Sequence, residues 1–278
     1  MTAGSPATFI GFDSAWADNS KAPGAICSIH FDGSVFSGFL APRLVGFAAA
    51  LEFIRALPNR AGPTLLALDQ PTIVPNATGM RPVEKVAATL VSWVGGGVQP
   101  ANRGRRGMFD DGAPVWRFLS GLGAVEDPLA VRTAMTGLHL MEVFPALAFP
   151  SLADEFFGRL AGPRYNPGRR ATFRLEHWQR VITVVMSEAT RLGCHEADTW
   201  LANLRASDRP TKGDQDRLDA LICMLVAVRW RLDEPDASAM IGDLTTGYIV
   251  TPTSAAARTR LAAAAYERRV PYTMTGAR

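Results

Sequence analysis

The chain is poor in lysine, cysteine and histidine, and each shortage closes off a chemistry. Of 29 basic residues only Lys21, Lys85 and Lys212 are lysines. The three cysteines, Cys27, Cys194 and Cys223, are odd in number, far apart, and without CxxC or Cys–His spacing. That excludes a disulfide framework and a zinc cage. Cys27 and Cys223 sit in apolar runs and read as core. The four histidines, His30, His139, His177 and His195, are scattered. His139 alternates along an apolar strand and reads as a core residue rather than a base. No run of about 18 apolar residues occurs, and no basic segment leads into an apolar one near the start. The expectation is a cytoplasmic, reduced protein that does not span a membrane. No GxxxxGK[ST] is present, and Gly95-Gly96-Gly97 lacks a following lysine, so that type of phosphate loop is excluded. No GxSxG supports a serine hydrolase.

What remains is an ordinary globular composition, 47% hydrophobic and 20% charged over 278 residues, enough for one large domain or two small ones. The net charge of +3 is too small to mark a dedicated nucleic-acid binder. The bias toward arginine suits bidentate phosphate recognition, and GC-rich coding produces the same bias.

Acidic residues carry more information. Three apolar segments each run into a carboxylate: Thr8-Phe9-Ile10-Gly11-Phe12-Asp13, Thr64-Leu65-Leu66-Ala67-Leu68-Asp69 and Leu138-His139-Leu140-Met141-Glu142. A fourth acidic site, Asp216-Arg217-Leu218-Asp219, opens the most apolar helical stretch, with its two acids at i, i+3 on one face. Asp and Glu are rarely buried unpaired. If these elements converge, a cation or a shared proton must offset the repulsion. The pattern points to a divalent-metal site. Acids at a helix start also serve as ordinary N-terminal stabilisers, a competing account for Asp216 in particular.

Along the chain, strand 8–13 is followed by a hairpin of strands 25–31 and 35–40, turned at Asp32-Gly33. A helix from Leu44 to Leu57 stops at Pro58, and strand 64–69 follows. Helical patterns lie at 82–93, 115–119, 173–192, 195–206, 216–232 and 254–269, with strand 138–143 among them. The expected fold is α/β: a mixed five-stranded sheet, three antiparallel strands and then parallel ones, flanked by helices. It forms a single domain over 8–252, with insertions at about 72–135 and 150–212. A helical tail over 253–278 either docks outside or serves self-association, giving a homo-oligomer. In such sheets ligands gather at the carboxyl ends of strands, where Asp13, Asp69 and Glu142 lie.

This order resembles the ribonuclease H-like superfamily. More specifically, Gly11-Phe12-Asp13-Ser14-Ala15-Trp16, Leu68-Asp69-Gln70-Pro71 and Asn76-Ala77-Thr78-Gly79-Met80-Arg81-Pro82 resemble a predicted-nuclease family of domain of unknown function 429 type. So do Met141-Glu142-Val143-Phe144-Pro145-Ala146-Leu147, Arg164-Tyr165-Asn166-Pro167 and Asp216-Arg217-Leu218-Asp219-Ala220-Leu221, the likeness covering roughly 8–252. The resemblance implies metal-dependent hydrolysis of phosphodiester bonds in a nucleic acid, DNA or RNA undetermined, with two Mg²⁺ or Mn²⁺ ions. It implies that Asp13 bridges both ions, Asp69 binds one, and Asp219 with Asp216 holds the second, Glu142 being a fifth catalytic candidate. Ribonuclease H proper uses a first-helix glutamate; the counterpart here, Glu52, lies off the apolar stripe and reads as exposed. Two other functions stay open: a non-catalytic nucleic-acid-binding or scaffold protein of the same fold, and a kinase- or ATPase-like phosphotransferase.

For phosphate binding the candidates are Arg81, on a Pro/Gly-rich loop after the fourth strand, and the Gly-spaced Arg103, Arg105 and Arg106, with Phe109 and Trp116 for base stacking. Arg164, Arg169 and Arg170, beside Tyr165, form a second basic cluster.

Overall fold

The apolar segment ending at Asp13 forms β1 (Ala7–Asp13), one of the two central strands of a six-stranded mixed sheet. A computed structural model describes residues 5–274. β2 (Gly24–Phe31) and β3 (Phe36–Val45) follow as an antiparallel hairpin. At its turn, Asp32 Oδ1 accepts from the Ser34 and Val35 amides at 2.8 and 2.9 Å. α1 (Phe47–Ala56) crosses to β4 (Thr64–Asp69), which runs parallel to β1. After α2 (Pro82–Val91) and α3 (Pro114–Leu122) come the two-residue β5 (Val125–Glu126) and then β6 (Leu138–Glu142). The order is β3-β2-β1-β4-β6-β5. The sheet therefore has six strands, not the expected five. β5 is too short for a period-two pattern to reveal it.

α4 (Pro145–Leu152), α5 (Leu175–Leu192) and α6 (Asp198–Ala206) lead to α7 (Lys212–Leu232). α7 begins one turn before Asp216, where Thr211 and Asp214 form a reciprocal capping box. Asp214, not Asp216, is thus the acid that serves the helix start. Every residue from Leu218 to Val228 is buried, as expected of a helix that is apolar all round. α1 also differs from expectation: β3 continues through Leu44 to Val45, and the helix starts at Phe47, whose amide donates to Asp18 Oδ1 at 2.8 Å.

Both faces of the central strands are covered, which is why they read as apolar runs rather than as alternating ones. Phe9, Leu65 and Ala67 pack with Leu221, Met224 and Val228 of α7. Ile10, Phe12, Leu66 and Leu68 pack on the other face with Phe47 and Phe53 of α1 and Phe118 of α3.

Past α7 the chain forms a second, three-stranded sheet that was not expected from the sequence. It is made of β7 (Ser238–Asp243), β8 (Gly247–Pro252) and β9 (Tyr272–Thr273), in the order β8-β7-β9. The expected tail helix is α8 (Ala255–Arg268), packed against α2, after which β9 returns to the sheet. Residues 275–278 lie outside the described residues.

One glycine sets how closely α7 lies on the sheet. A Cβ at Gly11 would stand 1.9 Å from the Ala220 carbonyl oxygen and 2.5 Å from the Met224 nitrogen. The obstacle is helix backbone, which cannot rotate aside. Gly11→Ala is expected to destabilise the protein by about 3 kcal/mol or more through overpacking, measured by urea unfolding with circular dichroism.

Candidate functional site

Asp13 and Asp69 are direct register partners across the parallel β1–β4 pair. Alternation along each strand carries them to the same face as Phe9, Gly11, Leu65 and Ala67, the face under α7. Because Gly11 lets α7 down onto β1, Asp219, the residue before Ala220, arrives over both aspartates. Lys212, Gln215, Asp216 and Asp219 recur at helical spacing on α7, and all four line the same cleft as Asp13 and Asp69. The cleft has a volume of about 850 Å³.

The carboxylates are held unequally. Asp219, 5% exposed, accepts from Tyr165 Oη at Oδ1 and from Gln215 Nε2 at Oδ2, both at 2.8 Å. Asp216 is ion-paired with Lys212, one turn earlier. Asp13 and Asp69 have no such partners, and burial pushes both carboxyls well above the ordinary range. For Asp13 the charges of Asp69, Asp219 and Asp216 add to the rise; for Asp69 those of Asp219 and Glu142 do. Lys212 opposes the rise at both. Asp219 is pushed up by burial to about 6, with Lys212, Tyr165 and Gln215 opposing. The Tyr165 phenol is raised by burial and by Asp219, so it stays a donor.

Glu142 also lines the cleft but leaves its strand on the opposite face. Its register partner on β4 is Leu68, one residue short of Asp69. A shift of one residue reverses the face. Its carboxylate meets Arg81, which donates to it from Nη2 at 2.5 Å and Nη1 at 2.9 Å, and the Thr72 amide donates at 3.0 Å. Arg81, 1% exposed, also donates from Nε to Glu84 at 2.9 Å. One guanidinium therefore serves two carboxylates. Burial pushes Glu142 up to about 7 because its share of Arg81 does not fully offset desolvation. Arg81, facing both acids, is itself raised. Tyr248 ties β8 in, accepting from the Glu142 amide at 3.1 Å and donating to Glu126 at 2.9 Å.

The other basic candidates are also sorted by place. Arg103 pairs with Asp111 and lies 5.0 Å from the Trp116 ring centroid. Arg105 Nη1 donates to the Pro100 carbonyl at 3.1 Å, and Arg106 is exposed. None of the three lines the cleft, and Phe109 is fully buried in the α1–α3 core. Arg164 and Arg169 of the second cluster do line it, as does Lys212. Glu52 is exposed on α1. Lys212 and Gln215 were not singled out from the sequence. The signal that could have found them is their spacing, each four residues before one of the paired acids.

Among the described residues, no group of three or more His, Cys, Asp or Glu stands already gathered so that it could hold a metal ion. The donor chemistry nevertheless fits a hard cation: the side chains facing one another are oxygen donors, with no histidine or cysteine lining the cleft.

Fold and site define an α/β protein with an acidic cleft at the carboxyl edge of a mixed sheet. A family model described as a protein of unknown function (DUF429) matches residues 17–241, and the chain belongs to that family. The match includes Asp69, Asp216 and Asp219 and begins beyond Asp13. No curated protein and no solved structure matches the chain. Among the described residues, no helix is long and apolar enough to cross a membrane.

Arg81→Met is expected to cost about 3–5 kcal/mol by stranding buried carboxylates, and adding Glu142→Gln should recover part of the loss. Urea titrations of both variants check this, since an arginine acting only on bound phosphate would show neither effect. A second expectation concerns pH. Asp13, Asp69 and Asp219 keep protons in the folded, metal-free protein that the unfolded chain releases near pH 4. Their contribution to stability is therefore greatest at acid pH. It falls as pH rises through the folded-state range, about 6 for Asp219 and raised well above the ordinary carboxyl range by burial for Asp13 and Asp69. Asp13→Asn should melt above wild type near pH 8 without metal, and the gap should narrow near pH 5, as read by thermal melts.

Proposed function

We propose that the protein is a metal-dependent nuclease that hydrolyses phosphodiester bonds of a nucleic acid at the acidic cleft. The carrying observation is the in-register Asp13–Asp69 pair faced by Asp219 and Asp216, with Lys212, among the described residues, the cation that opposes the rise of both strand-end acids. Four carboxylates against one ammonium leave an excess of negative charge that divalent cations suit. The strand order, antiparallel across β3, β2 and β1 and then parallel, with acids ending β1 and β4, supports a ribonuclease H-like fold.

Asp13, Asp69, Asp216 and Asp219 would hold the metal, two Mg²⁺ or Mn²⁺ ions in this reading. Bound there, such ions lower the pKa of an attacking water and offset charge on the leaving oxygen. The chain's own residues do the rest. Tyr165 and Gln215 fix the orientation of the Asp219 carboxylate before any ligand arrives. Arg164, Arg169 and Lys212 supply positive charge along the cleft for the phosphates. Arg81 offsets part of the Glu142 charge, which otherwise adds to the repulsion felt by Asp69.

A second reading, a non-catalytic nucleic-acid-binding or scaffold protein, draws support from the Lys212–Asp216 pair and the two hydrogen bonds to Asp219, which partly satisfy the acids internally. A phosphotransferase reading draws less. The segments where phosphate loops would lie are internally bonded, Ser14 to the Gln70 side chain and Thr72 to Glu126 and Glu142.

Wild type, with Mn²⁺, is expected to cleave at least one of single- or double-stranded DNA or RNA. Asp13→Asn should fall to background while melting as a folded protein. Nucleic-acid binding without cleavage by wild type would move the assignment to the second reading; equal cleavage by both proteins would remove the acids from the mechanism.

A further inference from the structure

The polar face of α7 is built as two matched rows. Each acid has a donor one turn toward the N-terminus: Lys212 for Asp216 and Gln215 for Asp219. Lys212 spends its charge on the acid. Gln215 has more to offer, because a carboxamide carries both donors and an acceptor oxygen. Its Nε2 stands 2.8 Å from Asp219 Oδ2, which fixes the amide's orientation, since the reversed amide would set oxygen against oxygen. The oxygen Oε1 is thereby left out of that bond. It is buried and has no hydrogen-bond partner, and the residue is only 7% exposed. Among the described residues lining the cleft, Gln215 alone has a buried side-chain polar atom in that condition. Buried acceptors are seldom left without a partner.

The surroundings say what kind of partner fits. Asp13, Asp69, Asp216 and Asp219 make the local field negative, which favours a cation. A neutral oxygen adds a hard donor without adding a fifth negative charge to acids already destabilised by mutual repulsion. We propose that the Gln215 carboxamide oxygen is a direct ligand of a divalent cation held together with Asp216 and Asp219. The assignment rests on the metal site of the proposed function, and it makes Gln215 both a ligand and the residue that positions Asp219.

The test is Mn²⁺ titration by calorimetry into the metal-free full-length protein without nucleic acid, near pH 8, for wild type, Gln215→Glu, Gln215→Leu and Tyr165→Phe. As a ligand, a charged oxygen at 215 should tighten Mn²⁺ at least about threefold, whereas Gln215→Leu should weaken it about tenfold or more. Tyr165→Phe removes the other hydrogen bond to Asp219 and reports the effect of loosening that acid alone. With Tb³⁺ as probe, luminescence lifetimes in H₂O and D₂O should show about one additional bound water in Gln215→Leu and none in Tyr165→Phe. Melts without metal establish that each variant is folded. Mn²⁺ binding by wild type with weaker or unchanged binding by Gln215→Glu overturns the ligand assignment and leaves the metal site standing. No Mn²⁺ binding by wild type overturns the metal reading, and the assignment with it.

Discussion

The approach of α7 to β1 at Gly11 is the contact on which the site depends. At that point helix backbone lies where any side chain would stand, with the Ala220 carbonyl 1.9 Å from the position of a Cβ. The contact lies two residues from Asp13 and one from Asp219. A helix held further off would lift Asp219 and Asp216 away from the strand-end acids. The buried apolar run from Ala220 to Val228 holds the helix down along its length, while its first turns carry the polar face. One helix thus serves as core at one end and as the wall of the cleft at the other.

Charge compensation is divided between two neighbouring clusters, and the division explains their different characters. Around Arg81, two carboxylates and a guanidinium are locked by good geometry, a backbone amide from Thr72 and nearly complete burial. Buried ion pairs of this kind fix one arrangement more than they stabilise it. Gly247 takes φ +100° beside this cluster, and a Cβ there would meet Arg81 Nη1 at 2.8 Å, so the second sheet is fitted against the same guanidinium. Around Asp13 and Asp69 there is no equivalent lock. Lys212 is half-exposed, engages Asp216, and only opposes the others at a distance. Asp13 and Asp69 are thus left without a bonded counterion among the described residues, whereas the acids around Arg81 have one.

Much of this was legible in the residues. The strands ending in Asp13 and Asp69, the hairpin at Asp32-Gly33, and the helix carrying Asp216 and Asp219 are written as apolar runs, a turn dipeptide and an i, i+3 pair. The exposed Glu52 was legible from its place off the apolar stripe. The second sheet was not, although Asp243 and Gly247 bracket a turn in which Asp243 Oδ1 accepts from the Thr245 and Thr246 amides at 2.8 and 2.6 Å. Its strands are short, and an apolar run of that length is ambiguous. α4, with Pro150 inside it, was hidden because proline signals a break rather than a helix.

By itself the sequence determined which segments are buried, which of them end in acids, and that those ends offer oxygen donors. Only the tertiary structure decided which acids meet. Asp13, Asp69 and Glu142 look alike on their strands, yet β6 pairs with β4 in a register that sets Glu142 opposite Leu68. That choice is made between strands far apart in sequence, and a single residue of register turns a side chain to the other face. The same holds for the arginines. Arg81 and the loop of Arg103, Arg105 and Arg106 read alike as phosphate binders. All but one of them stay out of the cleft: Arg81 lines it, bonded to Glu84 and Glu142, together with Arg164, Arg169 and Lys212, which the loop arginines do not join.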